Sequence, residues 1–366
     1  MNPLRVALDY RPALLGRSGI PRAVRELARS LAEVAEEMSL ELHLFGHSFA
    51  GAEVQETPRR ARLHRTRLPG RALPWLARIG LGAQRLCGGA EVFHWTDYVH
   101  PPVGRHTKVV LTLHDCAFAV DPSLHGEDAA NLLARTRAAC RRADVIVCPT
   151  RATADDARRA LDVSSDRIRV IPFGIDHAIR PRTATPAPDP QGHILMLGTI
   201  EPRKNHLRAI AAWRSLPSPR PRLVIVGRPG WCCEEAVAAI RDAVDSGEAT
   251  WFDDADDALL TALFDEADAL LYPSLLEGFG FPPLEALARG IPVVAGDTPA
   301  LRETCGDAAI WCDPRDIDAI RDALASALAS DARGAVVRDA RRAQAAHFRW
   351  ADCARAHAEV YHGVVA

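Results

Sequence analysis

Two glutamates flank a glycine-rich turn in the second half of the sequence. Glu277 and Glu285 stand eight positions apart, after an apolar run that ends at Tyr272, and Gly280 and Pro282 lie between them. Glycine lets backbone N–H groups approach a ligand, and proline suits the first turn of a helix, whose N-terminus favours an anion. We expect Glu285 within that first turn. The two carboxylates would then accept hydrogen bonds from sugar or ribose hydroxyls; a plain strand-to-helix turn is the alternative.

A pair of cations follows another predicted strand. Arg203 and Lys204 lie between an apolar run at residues 194–197 and a helical pattern that begins near His206. Two adjacent cations could neutralise a diphosphate, and arginine could do so with two parallel hydrogen bonds. Unpaired cations at a helix N-terminus oppose the helix dipole. An anionic ligand therefore explains the pair better than a solvated helix start.

The elements that position these residues follow an alternating pattern. Short apolar runs alternate with longer amphipathic ones, which predicts an α/β fold with parallel sheets and helices on both faces. We predict strands at residues 6–8, 40–45, 92–95, 109–113, 145–148 and 168–171, and again at 194–197, 223–226, 250–252, 269–272, 293–295 and 309–312.

A proline-rich interruption divides this pattern into two domains. Residues 181–192 contain four prolines and little that is apolar, as in an interdomain linker. We expect an N-terminal domain at 1–180, a C-terminal domain at 193–349, and a last helix at 350–366 that crosses back to the first domain. Ligands of such sheets bind outside the carboxyl ends of the strands, so we expect the site in a cleft between the domains.

The composition excludes several classes of protein. Of 366 residues, 48% are hydrophobic and 25% are charged, which is enough apolar content for two cores. The net charge of −2 gives no basis for nucleic-acid binding. The nine cysteines form no C-x-x-C pair, which predicts reduced thiols in a cytoplasmic protein. No run approaches the roughly 18 apolar residues of a membrane span.

The motifs have a characteristic order and spacing. The segments at 143–150, 168–176, 198–205, 268–274 and 290–295, together with Glu277-x7-Glu285, resemble glycosyltransferase family 4. The resemblance covers essentially the whole chain. It implies the GT-B architecture, in which two doubly wound Rossmann-like domains face each other across a cleft, the first on the acceptor side and the second binding the nucleotide-sugar.

The resemblance implies a role for each matched residue. A histidine such as His114 is more often a core residue, but its place after a predicted strand and the other motifs favour a site near the transferred sugar. Gly19, in the loop at 16–20, would close over the diphosphate and sugar. The remaining matches are Arg203 and Lys204 for the diphosphate, Glu277 near the donor sugar, Glu285 for the ribose, and the amides of Phe279, Gly280 and Phe281 for sugar and phosphate.

The implied reaction is a retaining hexosyl transfer that needs no cofactor and no metal. The pattern at 93–98, followed by Pro101, Pro102 and His114, resembles bacterial mannosyl- and rhamnosyltransferases of polysaccharide assembly. It favours GDP-mannose as donor and a glycan or lipid-linked acceptor. A UDP- or dTDP-sugar donor, a nucleotide-sugar epimerase and a non-catalytic partner with the same fold are the alternatives. Asp97 and Asp253 depart from residues common in the family.

Two charged segments admit two interpretations each. The acids at 253–257 are a metal-binding Asp-x-Asp or, in our preferred interpretation, the cap of the next helix. Residues 59–85 hold eight arginines and no acid, interleaved with Trp75, Leu76 and Ile79. This pattern suits contact of residues 59–86 with an anionic membrane at the cytoplasmic face, and it equally suits a solvated cationic surface.

Overall fold

A computed structural model of the protein describes residues 2–16, 19–47, 57–67, 72–126, 128–179 and 192–366. The predicted linker lies outside these ranges except for Gly192. Residues 17 and 18 of the predicted glycine loop and residues 68–71 of the arginine-rich stretch also lie outside them.

The described residues form two compact units. The first unit comprises the chain up to Cys116, Asn131–Gly174 and Phe348–Ala366, and the second comprises Ala117–Ala130 and Ile175–His347. This division differs from the sequence-based one, which gave 117–130 to the first domain. The reason is a tertiary contact: within the second unit, the Trp231 indole Nε1–H donates to the Leu124 carbonyl at 2.9 Å.

Thirteen strands occur in the described part of the chain. They are β1 (Leu4–Asp9), β2 (Leu40–His47), β3 (Ala61–Thr66), β4 (Val92–Trp95), β5 (Lys108–Thr112), β6 (Val145–Cys148), β7 (Ile168–Val170), β8 (His193–Leu197), β9 (Arg222–Val226), β10 (Ala249–Phe252), β11 (Ala267–Tyr272), β12 (Val293–Gly296) and β13 (Ile310–Cys312).

The same ranges contain fifteen α-helices. They are α1 (Arg11–Leu15), α2 (Ile20–Val34), α3 (Leu73–Arg78), α4 (Ala83–Leu86), α5 (Ala117–Val120), α6 (Ala129–Arg142), α7 (Arg151–Leu161), α8 (His206–Arg214), α9 (Glu234–Asp245), α10 (Asp257–Asp265), α11 (Phe281–Arg289), α12 (Pro299–Cys305), α13 (Ile317–Leu328), α14 (Ala335–Ala345) and α15 (Trp350–Gly363).

Each unit contains one parallel sheet. The order is β3-β2-β1-β4-β5-β6-β7 in the first unit and β10-β9-β8-β11-β12-β13 in the second. Helices cover both faces of such a sheet, so its central strands are almost wholly apolar. The buried residues of these strands include Val6, Val109 and Leu223. The hydrophobic core of the second unit also contains the indole of Trp213. The predicted α/β class is therefore confirmed.

Both sheets have a point where the strand order reverses. It lies between β1 and β4 in the first unit and between β8 and β11 in the second. Loops that leave the carboxyl ends of two such strands diverge and open a crevice, which is where doubly wound sheets bind ligands. The segments after Asp9, Trp95, Leu197 and Tyr272 are therefore the positions at which each unit can build a site.

The C-terminal helix belongs to the first unit. A break after α14 leads into α15, which packs against α2, and Arg355 of α15 pairs with Glu37 at 3.0 Å. The buried hydroxyl of Tyr361 lies 2.7 Å from His94 Nδ1 on β4. Within the described ranges, no helix combines the length and hydropathy that crossing a bilayer requires.

Candidate active site

The loop after β8 carries the predicted cations. Residues Pro202–Lys204 form a single 3-10 turn, and Asn205 follows in the left-handed region with φ of 63°. The Asn205 amide donates to the carbonyls of Pro273 (3.0 Å) and Pro314 (2.6 Å). The first bond fastens the cationic loop to the loop after β11, and the second fastens it to the loop after β13. The side chains of the cationic loop and of the β11 loop therefore meet at the switch point of the sheet.

Arg203 and Lys204 meet two carboxylates there. Lys204 Nζ lies 2.6 Å from Glu277 Oε1, and Arg203 Nη1 lies 3.3 Å from Glu277 Oε2. Arg203 Nε lies 2.5 Å from Glu201 Oε1, and Lys204 Nζ also donates to the Tyr272 hydroxyl at 2.5 Å. We call Glu201, Arg203, Lys204 and Glu277 the charge cluster.

This arrangement corrects one premise of the sequence analysis. The cations were taken to be unpaired at a helix start, but they precede α8, and Glu201 and Glu277 pair with them. The helix-dipole argument therefore does not apply, because the cations lie in a 3-10 turn and the left-handed Asn205 separates that turn from α8. The cluster holds two positive and two negative groups, so a phosphate must compete with carboxylates that are already in place.

Burial strengthens the interactions within the charge cluster. The side chain of Glu277 is only 6% exposed. Burial alone would raise the pKa of Glu277, but the charges of Lys204 and Arg203 outweigh it and hold this pKa below its usual value. Burial lowers the pKa of Lys204 while Glu277 opposes that shift. Because charges interact more strongly away from water, the cluster is a site of high local field.

The glycine loop after β11 leads into α11. Gly280 is the N-cap of this helix and lies in the left-handed region, with φ of 90°, and the helix has a proline in its first turn, as predicted. A Cβ on Gly280 would lie 2.4 Å from Leu301 Cδ2, so the position requires glycine. The Phe279 carbonyl accepts from the Thr304 hydroxyl at 3.0 Å, and the rings of Phe279 and Phe281 pack edge to face.

Glu285 lies deeper than the sequence predicted. It was expected in the first helical turn, but α11 begins at Phe281, which places Glu285 in the second turn. Its side chain is buried, and Oε1 lies 3.1 Å from His177 Nε2. His177 belongs to a 3-10 turn at Asp176–Ile179 in the same unit. The sequence gave no signal for His177, since only the tertiary fold brings it to the glutamate.

The first unit holds the other two predicted residues. Gly19 precedes α2 with φ of 59°, and its Cβ position faces open space. His114 follows β5, and its Nε2 lies 2.8 Å from the Thr96 carbonyl oxygen. A carbonyl only accepts, so Nε2 carries the hydrogen. Burial lowers the pKa of His114, which makes the imidazole neutral near pH 7.

A polar group at the switch point of the first sheet escaped the sequence analysis. Arg11 Nη2 lies 2.5 Å from Asp97 Oδ2, and the Arg11 backbone N–H donates to Asp9 Oδ1 at 3.2 Å. The Thr96 hydroxyl donates to the Asp9 carbonyl at 2.6 Å. Burial raises the pKa of Asp9 to about 7. The available signal was a carboxylate that ends an otherwise apolar strand.

The acidic run after β10 caps a helix. Asp256 accepts from the Leu259 backbone N–H at 2.8 Å and caps the N-terminus of α10, as predicted. Asp254 pairs with Arg228 at 2.5 Å. In the part of the chain that the structure describes, no three histidine, cysteine or acidic side chains converge as metal ligands.

Family models account for most of the chain. The model described as Glycosyltransferase Family 4 matches residues 17–179, and the model described as Glycosyl transferases group 1 matches residues 180–345. Their order is the order of the two units, and the second match contains the whole charge cluster.

The chain belongs to glycosyltransferase family 4.

A relative of this glycosyltransferase extends along almost its full length. The O-antigen chain mannosyltransferase B of Escherichia coli is 27% identical over 379 aligned positions, which cover 96% of this chain and 97% of the relative.

Solved structures support the GT-B fold. Sucrose-phosphate synthase from Thermosynechococcus elongatus superimposes with a TM-score of 0.77 at 18% identity, covering 99% of each chain. HepE from Anabaena, solved with UDP and glucose, superimposes with a TM-score of 0.73 at 14% identity, covering 99% of this chain and 100% of the other. At these identities the superpositions establish the fold alone.

Proposed function

We propose that this glycosyltransferase is a retaining mannosyltransferase that uses GDP-mannose and extends a glycan or lipid-linked acceptor in bacterial polysaccharide assembly. The observation that carries the proposal is the charge cluster, in which Arg203 and Lys204 converge on Glu277 at a switch point. The near full-length similarity to an O-antigen mannosyltransferase supports the choice of mannose.

The charge cluster suits a leaving nucleoside diphosphate. Cleavage of the sugar–phosphate bond adds negative charge to the diphosphate, and fixed cations in a water-poor site stabilise that charge as it develops. Loss of either Arg203 or Lys204 would cost about 3 kcal/mol of transition-state stabilisation, as for other preorganised donors. The N-terminus of α11, after Gly280, supplies further N–H groups of the same polarity.

Glu277 is better suited to hold the cations than to attack the sugar. Its two carboxylate oxygens contact Lys204 and Arg203 respectively. A carboxylate engaged in this way is a poor nucleophile, which favours a front-face reaction over a covalent sugar–enzyme intermediate. In that reaction the acceptor hydroxyl attacks the anomeric carbon from the side of the leaving group, and its proton passes to the departing phosphate oxygen. Configuration at the anomeric carbon is then retained.

His114 has a positioning role in this scheme. Its Nε2–H is committed to the Thr96 carbonyl, and its ring stacks on Phe173 with centroids 5.6 Å apart. A neutral, anchored imidazole presents Nδ1 as a hydrogen-bond acceptor for a sugar hydroxyl. We assign it to orienting the transferred sugar, with Gly19 in the loop that would close over the donor.

We propose that transfer needs no divalent metal. In many glycosyl transfers a metal neutralises the diphosphate, and here Arg203 and Lys204 offer the same two positive charges in a fixed geometry. Activity should persist in EDTA and be unchanged by added Mg²⁺ or Mn²⁺. Activity that disappears in EDTA and returns with Mn²⁺ would contradict this part of the proposal.

A glucosyl donor is the second candidate. HepE is described as a complex with UDP and glucose, and sucrose-phosphate synthase has the same fold. A UDP- or dTDP-sugar would use the same charge cluster, because the diphosphate is common to all these donors. The choice of base and sugar is therefore a separate question from the choice of leaving group.

One experiment addresses donor and mechanism together. The purified protein is incubated with GDP-mannose, UDP-glucose or a dTDP-hexose and a synthetic mannose-terminated lipid-linked acceptor, and the product is analysed by NMR. We expect transfer from GDP-mannose with an α-linkage. Transfer only from UDP-glucose would replace the donor, a β-linkage would refute retention, and conversion of a donor without acceptor would indicate an epimerase.

The arginine-rich stretch at 59–86 is proposed to contact an anionic membrane at the cytoplasmic face. Its two described parts differ. In the β3 part, Arg60 and Arg62 pair with Glu36 (3.1 Å) and Glu41 (3.0 Å). In the α3 part, Trp75 is 62% and Ile79 58% exposed, beside Arg78 and Arg85. Exposed aromatic and aliphatic side chains among arginines favour a lipid interface, so we assign the contact to residues 75–85.

A further inference from the structure

A cavity of about 510 Å³ lies within the first unit, at the carboxyl end of β4. Its volume falls in the range that small-molecule sites occupy. The segment after β4 forms one wall and α6 forms the other. The lining residues are Trp95, Tyr98, Val99, His100, Pro102, Val103, Arg135, Ala138, Ala139 and Arg142.

The wall from α6 is one face of that helix. The residues that line it occur at spacings of three, four and seven positions, which places them in one row. Arg142 is held by the carbonyls of Gly104 (3.0 Å) and Thr107 (2.8 Å). Arg135 is exposed on the same row, and its charge is close enough to His100 to lower the pKa of that histidine. The row therefore brings two guanidinium groups to an otherwise apolar wall.

The opposite wall is aromatic. The ring of His100 lies 5.2 Å from the indole of Trp95, whose Nε1–H donates to the Pro101 carbonyl at 2.9 Å. His100 Nε2 is buried and has no hydrogen-bond partner among the described residues. Burial is the main cause that lowers the pKa of His100 to about 4, so this ring is neutral near pH 7. It offers a hydrogen-bonding atom without a charge.

The cavity adjoins the residue that we assign to the transferred sugar. The Tyr98 hydroxyl donates to the Asp115 carbonyl at 3.0 Å and accepts from the Asp115 backbone N–H at 3.2 Å. The rings of Tyr98 and His114 lie 6.4 Å apart. One side chain of the cavity wall therefore contacts the loop that carries His114, which places the cavity beside the reacting end of the first unit.

The lining points to the charge of the ligand. None of the lining residues is acidic, and the neighbouring Asp97 is paired with Arg11 at 2.5 Å. Neutral sugars are bound through several polar groups that include acceptors, whereas arginine without a carboxylate favours a phosphate. The aromatic and aliphatic remainder suits the apolar face of a sugar ring.

We propose that this cavity is an acceptor subsite that binds a phosphorylated sugar, with the phosphate on Arg135 and the sugar against Tyr98 and His100. The inference rests on the proposed transferase function, because the cavity would hold the acceptor of that reaction. It adds a chemical class to the acceptor: a saccharide that carries a phosphate close to the sugar that is extended.

The test measures binding of mannose 1-phosphate by calorimetry in the presence of saturating GDP. Arg135→Gln removes the charge, Arg135→Lys keeps it, and Arg141→Gln is the matched control, because Arg141 is exposed on the same helix and does not line the cavity. A second background, Arg203→Gln with Lys204→Gln, disables the proposed donor site. Methyl α-mannoside and inorganic phosphate are measured alongside.

We expect mannose 1-phosphate to bind the wild type and to bind at least about tenfold more weakly to Arg135→Gln, as loss of a charge-assisted hydrogen bond implies. Arg135→Lys should recover part of the affinity, and Arg141→Gln and the Arg203/Lys204 variant should equal the wild type. Methyl α-mannoside and inorganic phosphate should each bind more weakly than mannose 1-phosphate.

Three results would overturn the assignment. They are no binding to the wild type, binding unaffected by Arg135→Gln, and binding lost in the Arg203/Lys204 variant, which would place the ligand at the donor site. Inorganic phosphate that binds as tightly as mannose 1-phosphate would refute the sugar component. GDP alone is titrated into the wild type first. Failure of the donor proposal is distinguishable, because it would show as absent GDP binding in that titration.

Discussion

At the scale of single residues, the proposed donor site would make Glu277 and a phosphate group compete for the same two cations. Glu277→Gln leaves the part-buried Lys204 and Arg203 with one carboxylate, Glu201, nearby. Breaking a buried pair is costly, so we expect a loss of about 2–3 kcal/mol in the free energy of unfolding, measured by chemical denaturation. GDP should bind this variant at least as tightly as it binds the wild type, while turnover decreases.

Stability and GDP affinity together distinguish a glutamate that pairs with the two cations from one that only binds the sugar. A glutamate that only contacts the donor sugar would leave stability and GDP affinity unchanged when replaced by glutamine. Weaker GDP binding in Glu277→Gln would show that the carboxylate does not compete with the diphosphate. Asp242→Asn is a suitable control, because its pair with Arg214 joins α9 to α8 at the surface and contributes little.

Asp9 should make stability depend on pH. Burial raises its folded-state pKa from 3.8 to about 7, so the folded protein binds the proton more tightly than the unfolded chain. The resulting stabilisation is complete below about pH 4 and is lost as the pH rises to 7. Asp9→Asn has no such proton, so the wild type should lose stability relative to this variant by about 1 kcal/mol per pH unit in that window. Denaturation curves of both proteins at several pH values measure this, and parallel curves would contradict it.

At the scale of elements, the turn before α11 depends on a glycine. Gly280→Ala adds a Cβ in the left-handed region and sets it 2.4 Å from Leu301 Cδ2 in the core. Gly247 also has a positive φ, of 75°, but its Cβ position has no atom within 4 Å. Gly247→Ala should therefore cost only the backbone strain, about 1 kcal/mol, and Gly280→Ala about 1–3 kcal/mol more.

Donor binding distinguishes these two glycine variants further. Gly280→Ala displaces the N-terminus of α11 and should weaken GDP binding in a thermal-shift titration, whereas Gly247→Ala should bind GDP normally. Equal thermal stability and equal GDP affinity for the two variants would show that the packing of Gly280 on Leu301 does not shape the site.

Buried parallel strands were the part of the fold most accessible to sequence reasoning. Strands such as β6 and β12 appear as uninterrupted apolar runs because both faces are covered. The strand β3 was not predicted, since an edge strand is half exposed and its Arg62 and Arg65 read as surface charge. The segment at 117–130 was given to the wrong unit, because its partner, Trp231, lies more than a hundred residues away.

Some residues of the candidate site could likewise be identified from the sequence, and others could not. Arg203, Lys204 and Glu277 are identifiable because glycine and proline mark the loops that carry them. Glu201 and His177 were not identifiable as partners, since their importance arises from contacts formed only after folding. The loops that carry the charged residues could thus be predicted from the sequence, whereas the pairing of the charges depended on the tertiary structure.

At the scale of the whole molecule, residues 75–85 should bind anionic vesicles. Each arginine near such a surface contributes about 1 kcal/mol, and burial of Trp75 and Ile79 adds about 1.5–3 kcal/mol each. In flotation assays with phosphatidylglycerol vesicles, binding should rise with the anionic fraction and fall with salt. Trp75→Ser with Ile79→Ser should reduce binding at least about tenfold.

The control for membrane binding is Val336→Ser in the second unit, where Val336 is 83% exposed. It removes a comparable exposed apolar side chain and should leave flotation unchanged. A wild type that ignores anionic vesicles at low salt, or a Trp75/Ile79 variant that floats as well as the wild type, would show that the stretch is a solvated surface.

The central claim is that Lys204 and Arg203 hold the diphosphate of the donor, and comparison of GDP with GMP tests it most directly. Calorimetric titrations are made with the wild type, Lys204→Met and, as a matched control, Lys108→Met, which changes the chain's other lysine. Because GMP lacks the second phosphate, the difference between the two affinities isolates the diphosphate contact. We predict that Lys204→Met weakens GDP at least about tenfold and leaves GMP almost unchanged, while Lys108→Met alters neither. Unchanged GDP affinity in Lys204→Met, or an equal loss for GDP and GMP, would contradict the account.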